Sequence, residues 1–413
     1  AFSANPAFLP RETCPFCFSV FNGRAFGFSA PLPRLKSAAM SAFQADICIR
    51  GAGITGRVLA LLLAREKLRV ALTAPPERAS KAPDVRAYAI NPAGQKLLAG
   101  LRCWPAPEHA TPVMEMQVRG DQHGQLRFTA AMQGVPALNW IVDVPVLENL
   151  LAEAVRFAPG IEVTPEAVPA PLTVICEGRD SATREALGAG WQAVPYPQHA
   201  VAARLACERP HEQVARQWFT PEGEIAALLP LDGPAGRRVA LVWSARPEHA
   251  AQLMALPPEA FAAEAAAASE HALGALALEG ERACWPLMLG RASRWSGPMP
   301  GRPGQSWALA GDAAHAMHPL AGQGLNTGLG DVACLAATLA QREYWRSVGD
   351  ARLLRRYARA RALPVAAMQC ATDGLQQLFG QPDSAPLAAL RNWGLSGVNQ
   401  LPALKRWLAR QAM

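Results

Sequence analysis

Trp307 to Asp331 reads WALAGDAAHAMHPLAGQGLNTGLGD. Its first four residues, Trp307 to Ala310, are a short apolar run of the kind that forms a buried strand, and the run stops at Gly311-Asp312. A helical pattern resumes after the Gly322/Gly324 pair. A strand ending in a carboxylate, then a glycine-bearing turn into a helix, suits a polyhydroxylated ligand. The carboxylate accepts hydrogen bonds from hydroxyls, and free N–H groups at the helix start face an anionic group.

Working outward, the nearest comparable signal lies at the front. Asp46 to Arg50 is a short strand candidate, followed by Gly51-Ala-Gly53-Ile-Thr-Gly56 and an apolar helix pattern from Val58 to Lys67. Arg69 to Leu72 is a second strand. This is the strand–GxGxxG–helix–strand unit of a dinucleotide fold: the first glycine permits the tight turn, the second lets backbone approach a pyrophosphate, and the third lets helix pack on strand. An acid is expected at the end of the second strand for a ribose hydroxyl, but Thr73 stands there and Glu77 lies beyond two prolines. The unit predicts that the strand at Trp307 completes the front fold and that the β-rich middle is inserted into it.

Between these signals, helices are expected from about Asn91 to Gly100, from Pro145 to Phe157 and, through an alanine-rich run, from Pro257 to Leu276. Strands are expected at Val113–Arg119, Gln125–Ala130, Leu172–Cys176, Ala226–Leu229, Val239–Trp243 and around Cys284–Leu289. Val163–Val168 is a further strand remnant. The remainder after Asp331 is helical.

At 413 residues the chain is long enough for a composite enzyme fold with a sizeable core. Residues 1–39 are rich in Phe, Pro and Ser and read as a leader upstream of a natural start at Met40, leaving 413 − 39 = 374 residues for the fold. The net charge of +7 raises nucleic acid as a partner, but the arginines are dispersed and not interleaved with aromatics, which argues against it. Nine cysteines, an odd number, favour reduced thiols in a cytosolic setting over a disulfide framework. Cys14-Pro-Phe-Cys17 has no second such pair and reads as incidental. Asp312, His315 and His318 form DxxHxxH, but no Cys or further carboxylate joins them locally, so no metal site is expected. His211 beside Pro210 reads as a strand-edge residue rather than a substrate contact.

Three motifs stand together: GAGITG at 51–56, EGRDSATR at 177–184 and GDAAHAMHPLAGQGLN at 311–326. With Arg86-Ala-x-Ala, Phe219-x-Pro-x-Gly, Leu229-Pro230-Leu231 and Val242-Trp243-Ser244, their order resembles the flavin-dependent aromatic hydroxylases of the para-hydroxybenzoate hydroxylase fold, most of all the ubiquinone-biosynthesis hydroxylases. The resemblance covers nearly all of 45–410. It implies an α/β fold: a Rossmann-like FAD-binding domain (40–110, 142–190 and 290–345), an inserted β-sheet substrate domain (111–141 and 191–289) and a helical C-terminal region (346–413).

The resemblance further implies that Gly51, Gly53 and Gly56 cradle the FAD pyrophosphate and that Gly311-Asp312 bonds the ribityl chain. Pro319, next to His318, lies on the flavin face, and the backbone of Gly322, Gly324, Leu325 and Asn326 meets its pyrimidine edge. Arg86 lies near the flavin, and Arg184 closes the middle motif. Glu177 replaces the Asp with which that motif usually begins.

The implied activity is FAD-dependent, NAD(P)H- and O₂-using hydroxylation of a lipophilic aromatic ring, a polyprenylated phenol. Two alternatives stay open: a hydroxylase of a small soluble aromatic compound, and a non-catalytic flavin-binding accessory protein. From Arg342 to Arg361 lie seven arginines against Glu343 and Asp350. They read either as a solvated helix face or as a peripheral contact of a cytoplasmic enzyme with the inner face of a membrane or with other quinone-biosynthesis proteins. The tail after Pro386 is amphipathic and suits packing or oligomer contact.

Overall fold

β1 (Ile47–Arg50) enters the turn at Gly51–Gly53, continues as α1 (Ile54–Arg65) and returns as β2 (Val70–Thr73). The computed structural model describes residues 44–74, 84–120, 124–220, 222–317 and 323–379. The leader with its Cys14/Cys17 pair, Glu77, His318, Pro319, Gly322 and the tail after Pro386 lie outside the described residues.

The chain continues through β3 (Ala87–Ile90), α2 (Pro92–Gly100), β4 (Ala110–Val113), β5 (Glu115–Arg119), β6 (Gln125–Thr129), α3 (Ala130–Gln133), β7 (Asn139–Asp143) and α4 (Val144–Phe157). Then come β8 (Ile161–Thr164), β9 (Leu172–Ile175), α5 (Ala182–Ala186), β10 (Trp191–Cys207), β11 (Val214–Phe219), β12 (Ile225–Leu231) and β13 (Arg238–Ala245). Helices α6 (Pro247–Ala255) and α7 (Pro258–Ala268) lead to β14 (Leu276–Ala292), β15 (Ser296–Pro298) and β16 (Ser306–Leu309). A 3-10 turn (Gly311–Ala313) precedes β17 (His315–Ala316), α8 (Gln323–Ala340) and α9 (Ala351–Phe379).

Six strands form one sheet in the order β15-β16-β9-β1-β2-β8. All its neighbours are parallel except the edge pair β15–β16. Its inner strands are apolar on both faces because both faces are covered, as a parallel sheet requires. Ile47, Ile49, Val70, Leu72, Leu172, Val174, Trp307 and Leu309 are all essentially inaccessible and share one core with Val58, Leu59 and Leu63 of α1. β16 joins this sheet beside β9, so the late strand does complete the front unit.

The second sheet runs β17-β14-β10-β13-β12-β11-β5-β6 and is antiparallel apart from β11–β5. One face carries Trp218, Leu228, Leu241 and Trp243 against Leu253 of α6 and Phe261 of α7. The other carries Ala215, Leu231 and Ala240 toward Ala89, Val113 and Ile141 of a three-stranded sheet, β3-β7-β4.

Three expectations change. The strand expected at Val113–Arg119 is divided between β4, in the three-stranded sheet, and β5, in the eight-stranded one. The alanine-rich run is not one helix to Leu276. α7 stops at Ala268, the Ser269 hydroxyl donates back to the Ala265 carbonyl at 2.7 Å, and Glu270 and His271 take positive φ. The strand expected around Cys284 is the end of a 17-residue strand, β14, paired along most of its length with the equally long β10.

Candidate cofactor and substrate site

The turn after β1 packs against the end of β9. Gly51 has φ +106°, and a methyl built there would fall 2.3 Å from the Cys176 carbonyl oxygen. A methyl on Gly56 would fall 1.9 Å from the Gly51 carbonyl oxygen. These two glycines make the close approach of α1 to β1 and β9 possible. Gly53 differs: it is the N-cap of α1 and a methyl there would meet nothing within 4 Å. No side chain caps α1 and its first turn holds no acid, so its N–H groups face outward at the positive end of the helix.

Gly53 opens on a cavity of about 580 Å³ between the three sheets, within the usual range for small-molecule sites. From the six-stranded side Gly178, Arg179, Ala310 and Asp312 line it, and Gly324 and Leu325 reach it from the start of α8. The far walls come from β3, β7, β11, β12, β13 and β14.

Asp312 is accessible, and its carboxylate opens on this cavity. Among the described residues it has no hydrogen-bond or ion-pair partner. Burial pushes its pKa up, and the opposing pulls of His315, Arg179 and Arg86 do not cancel that. Arg86 lies across the cavity. Its guanidinium stands 3.7 Å from Glu148 and is held by Asp84, with Nε–Oδ1 at 2.8 Å, and that bond to Asp84 above all keeps its pKa well above the ordinary value.

The turn that carries Asp312 is braced from behind. The Asp331 carboxylate of α8, fully buried, accepts from the Gly311 N–H at 3.0 Å and contacts His315 Nε2 at 2.6 Å. Its other oxygen accepts from Arg361 Nε of α9 at 2.7 Å. Thr55 of α1 fills the gap between Gly311 and Gly328, where a methyl on Gly311 would meet it at 3.1 Å. His315 therefore belongs to a buried polar brace rather than to a metal constellation with Asp312. Asp331 and Thr55 were not singled out by sequence; the available signal was the single charged residue of α8.

The middle motif behaves differently from the turn. Glu177 accepts from Arg50 Nε at 2.7 Å, the Ser181 hydroxyl at 2.7 Å, the Thr183 hydroxyl at 2.6 Å and the Thr183 N–H at 3.2 Å. Burial raises its pKa, but the bonds from Thr183, Ser181 and Arg50 outweigh that and hold it below the ordinary value. Arg184 is buried, donates to the Arg179 carbonyl at 2.9 Å and stacks 3.8 Å over Trp191. The Thr73 hydroxyl lies beside the buried Cys48 thiol at 3.8 Å.

The other expected residues divide in the same way. The Asn326 side chain accepts from the Asn91 N–H at 2.9 Å and donates to the Ala89 carbonyl at 2.8 Å, tying α8 to β3. His211 is fully buried and its Nε2 meets the Leu231 carbonyl at 2.7 Å, while Nδ1 accepts from the Gln213 N–H. It is a neutral structural histidine, and burial lowers its pKa.

The residues present fit FAD. An open glycine at an uncapped helix start suits a pyrophosphate, and an unpartnered carboxylate on the cavity suits the hydroxyls of a ribityl chain. The comparisons with known proteins agree. A family described as an FAD binding domain matches residues 151–372. The chain is 32% identical to the ubiquinone hydroxylase UbiL of Rhodospirillum rubrum, covering 89% of each chain. It is 29% identical to 3-demethoxyubiquinol 3-hydroxylase of Escherichia coli, covering 89% of this chain and 98% of that one. The fold is similar to that of p-nitrophenol 4-monooxygenase PnpA from Pseudomonas putida, with TM-score 0.70 at 17% identity over 89% of this chain and 96% of the other.

Proposed function

The chain belongs to the FAD-binding family of flavin-dependent monooxygenases, and from that membership we propose that it hydroxylates the aromatic ring of a polyprenylated phenol in ubiquinone biosynthesis, with NAD(P)H and O₂ as co-substrates. When bound, FAD would supply the redox chemistry by which NAD(P)H and O₂ place one oxygen atom on the ring and release the other as water.

The protein's residues bind, orient and exclude water. Gly53 and the start of α1 face the pyrophosphate, while Gly51 and Gly56 shape the turn that presents them. Asp312 accepts hydrogen bonds from the ribityl hydroxyls. The backbone at Gly324 and Leu325, at the start of α8, favours negative charge at the pyrimidine edge of the ring. Arg86, fixed by Asp84, faces them from across the cavity. His318, Pro319 and Gly322 complete the flavin face in this assignment. Residues 40–110, 142–190 and 290–345 hold FAD, 111–141 and 191–289 hold the substrate ring, and 346–413 form the helical region. No acid–base dyad is needed for an electron-rich ring; a dry, aliphatic pocket is.

The observation that carries this reading is the lone Asp312 carboxylate facing a cavity whose opposite wall is aliphatic. Purification of the full chain tests it. The expected protein is yellow, binds FAD, and consumes NAD(P)H and O₂ while adding 16 mass units to a prenylated phenol, roughly one per NAD(P)H. A colourless protein that takes up no FAD contradicts it. NAD(P)H consumption with no hydroxylated ring supports the accessory-protein reading instead.

A polyprenylated substrate reaches the enzyme from lipid, and one surface suits that contact. Tyr344 is 100% exposed and stacks on Trp345, 57% exposed, just ahead of α9. Arg352, Arg355, Arg356 and Arg359 are exposed on the first turns of α9. Interfacial aromatics beside exposed cations match an anionic bilayer surface. No helix among the described residues is long and apolar enough to cross a membrane. Co-sedimentation with anionic vesicles, reversed by salt and lost in a Tyr344→Ser/Trp345→Ser variant, is the expected result.

A further inference from the structure

On the cavity-facing side of the eight-stranded sheet the side chains are small or aliphatic: Ala215, Ala227, Leu229, Ala240 and Val242. Two polar side chains interrupt them. Gln217 on β11 is 7% exposed and Ser244 on β13 is 4% exposed, and among the described residues neither makes a hydrogen bond. Strand alternation decides where they point. Gln217 is in phase with Ala215 and sits opposite Ala227, whereas Ser244 is in phase with Ala240 and Val242 and sits opposite Ile225. Both side chains therefore project into the cavity that they line.

Neither is among the polar atoms sealed off without a partner, so both groups are reached from the cavity and can bond what it holds. β11 and β13 are separated by β12, so the two groups stand roughly 10 Å apart across the sheet. Between them lie Ile225 and Ala227, a floor for one aromatic ring. Among the described residues this sheet wall offers no free cation; the cavity's Arg86 and Arg179 stand on other elements. Arg216 borders the cavity, but its side chain follows the alternation to the opposite face, where Nη1 donates to the carbonyls of His211 at 3.1 Å and Val214 at 3.5 Å. Arg204, at the β10 edge, is ion-paired with Asp143.

We propose that Gln217 and Ser244 hold the oxygen substituents of the substrate ring by hydrogen bonds, and that this neutral wall selects an uncharged phenol over the same ring bearing a carboxylate. The inference rests on the proposed function and adds the residues that read the ring. A site built to hydrogen-bond a ring oxygen discriminates against ligands that leave its buried groups unpaired, and an apolar wall with no cation disfavours a carboxylate.

The test uses the FAD-loaded full chain and two probes, 2-prenylphenol and its 4-carboxylate analogue. Binding is read from the perturbation of the flavin absorbance and hydroxylation from product mass. The parent is expected to bind the neutral ring at least tenfold more tightly than the carboxylated one. Gln217→Leu and Ser244→Ala should each weaken 2-prenylphenol roughly three- to tenfold and lower product formed per NAD(P)H consumed, with FAD content unchanged. Gln217→Arg, which places a cation on the wall, should shift preference toward the carboxylate. Unaltered affinity and coupling in both single variants overturns the inference, as does a parent that prefers the carboxylated ring; neither result touches the monooxygenase reading. A parent that binds and hydroxylates neither probe overturns the proposed function itself, and this inference with it.

Discussion

Glu177 and Asp312 stand just past the carboxyl ends of neighbouring parallel strands, β9 and β16, and the protein treats them in opposite ways. Glu177 receives four hydrogen bonds from Arg50, Ser181 and Thr183. Asp312 receives none among the described residues and opens on the cavity. The first carboxylate is engaged in shaping the edge of the site; the second is left for what the site binds. Their pKa values move apart accordingly. Partners hold Glu177 down against its burial, whereas desolvation, with the nearby Asp331 charge, pushes Asp312 up.

The comparison breaks most visibly where Asp312 is braced. Asp331→Asn leaves Arg361 and His315 without their buried partner, and a loss of about 3–5 kcal/mol in urea unfolding is expected. Gly56→Ala forces a methyl against the Gly51 backbone and should cost roughly 1–3 kcal/mol. Glu177→Gln should cost about 1–2 kcal/mol at pH 7, since its partners are partly solvated. A depressed folded-state pKa contributes stability above the unfolded value of 4.5 that is lost as the pH falls through the folded value. The gap between parent and Glu177→Gln should therefore close in acid, as followed by unfolding at pH 7 and pH 3.

Asp312→Asn runs the other way. Its raised pKa means the ionised form disfavours the flavin-free fold. The variant should be as stable as the parent or slightly more so at pH 7, with the difference gone below about 3.8. Gly53→Ala should change stability by less than about 1 kcal/mol, since the added methyl meets nothing, yet weaken FAD at the helix start.

The ends of the parallel strands were legible because punctuation there is chemical. Gly51 needs a positive φ, Gly56 a close approach, and Asp312 follows a run apolar on both faces. The long strands were not. Pro195 and Pro197 interrupt the alternation of β10, and the pairing with β14 shifts register between Pro195 and His199. Helix propensity misled at Ala-rich α7, where a serine bonding back to the helix and two residues at positive φ end it. The exchange of roles between Glu177 and Asp312 was hidden for another reason. Ser181 and Thr183 share the Glu177 motif, but Arg50 meets that carboxylate only when β1 pairs with β9, which sequence spacing does not show.

FAD titration by fluorescence quenching, on the parent and on Asp312→Ala, tests the account at its centre. The account predicts a roughly ten- to hundredfold weaker affinity in the variant, the value of losing hydrogen bonds to a charged group, with undiminished stability of the flavin-free protein. An Asp312→Ala protein that binds FAD as tightly as the parent would contradict it.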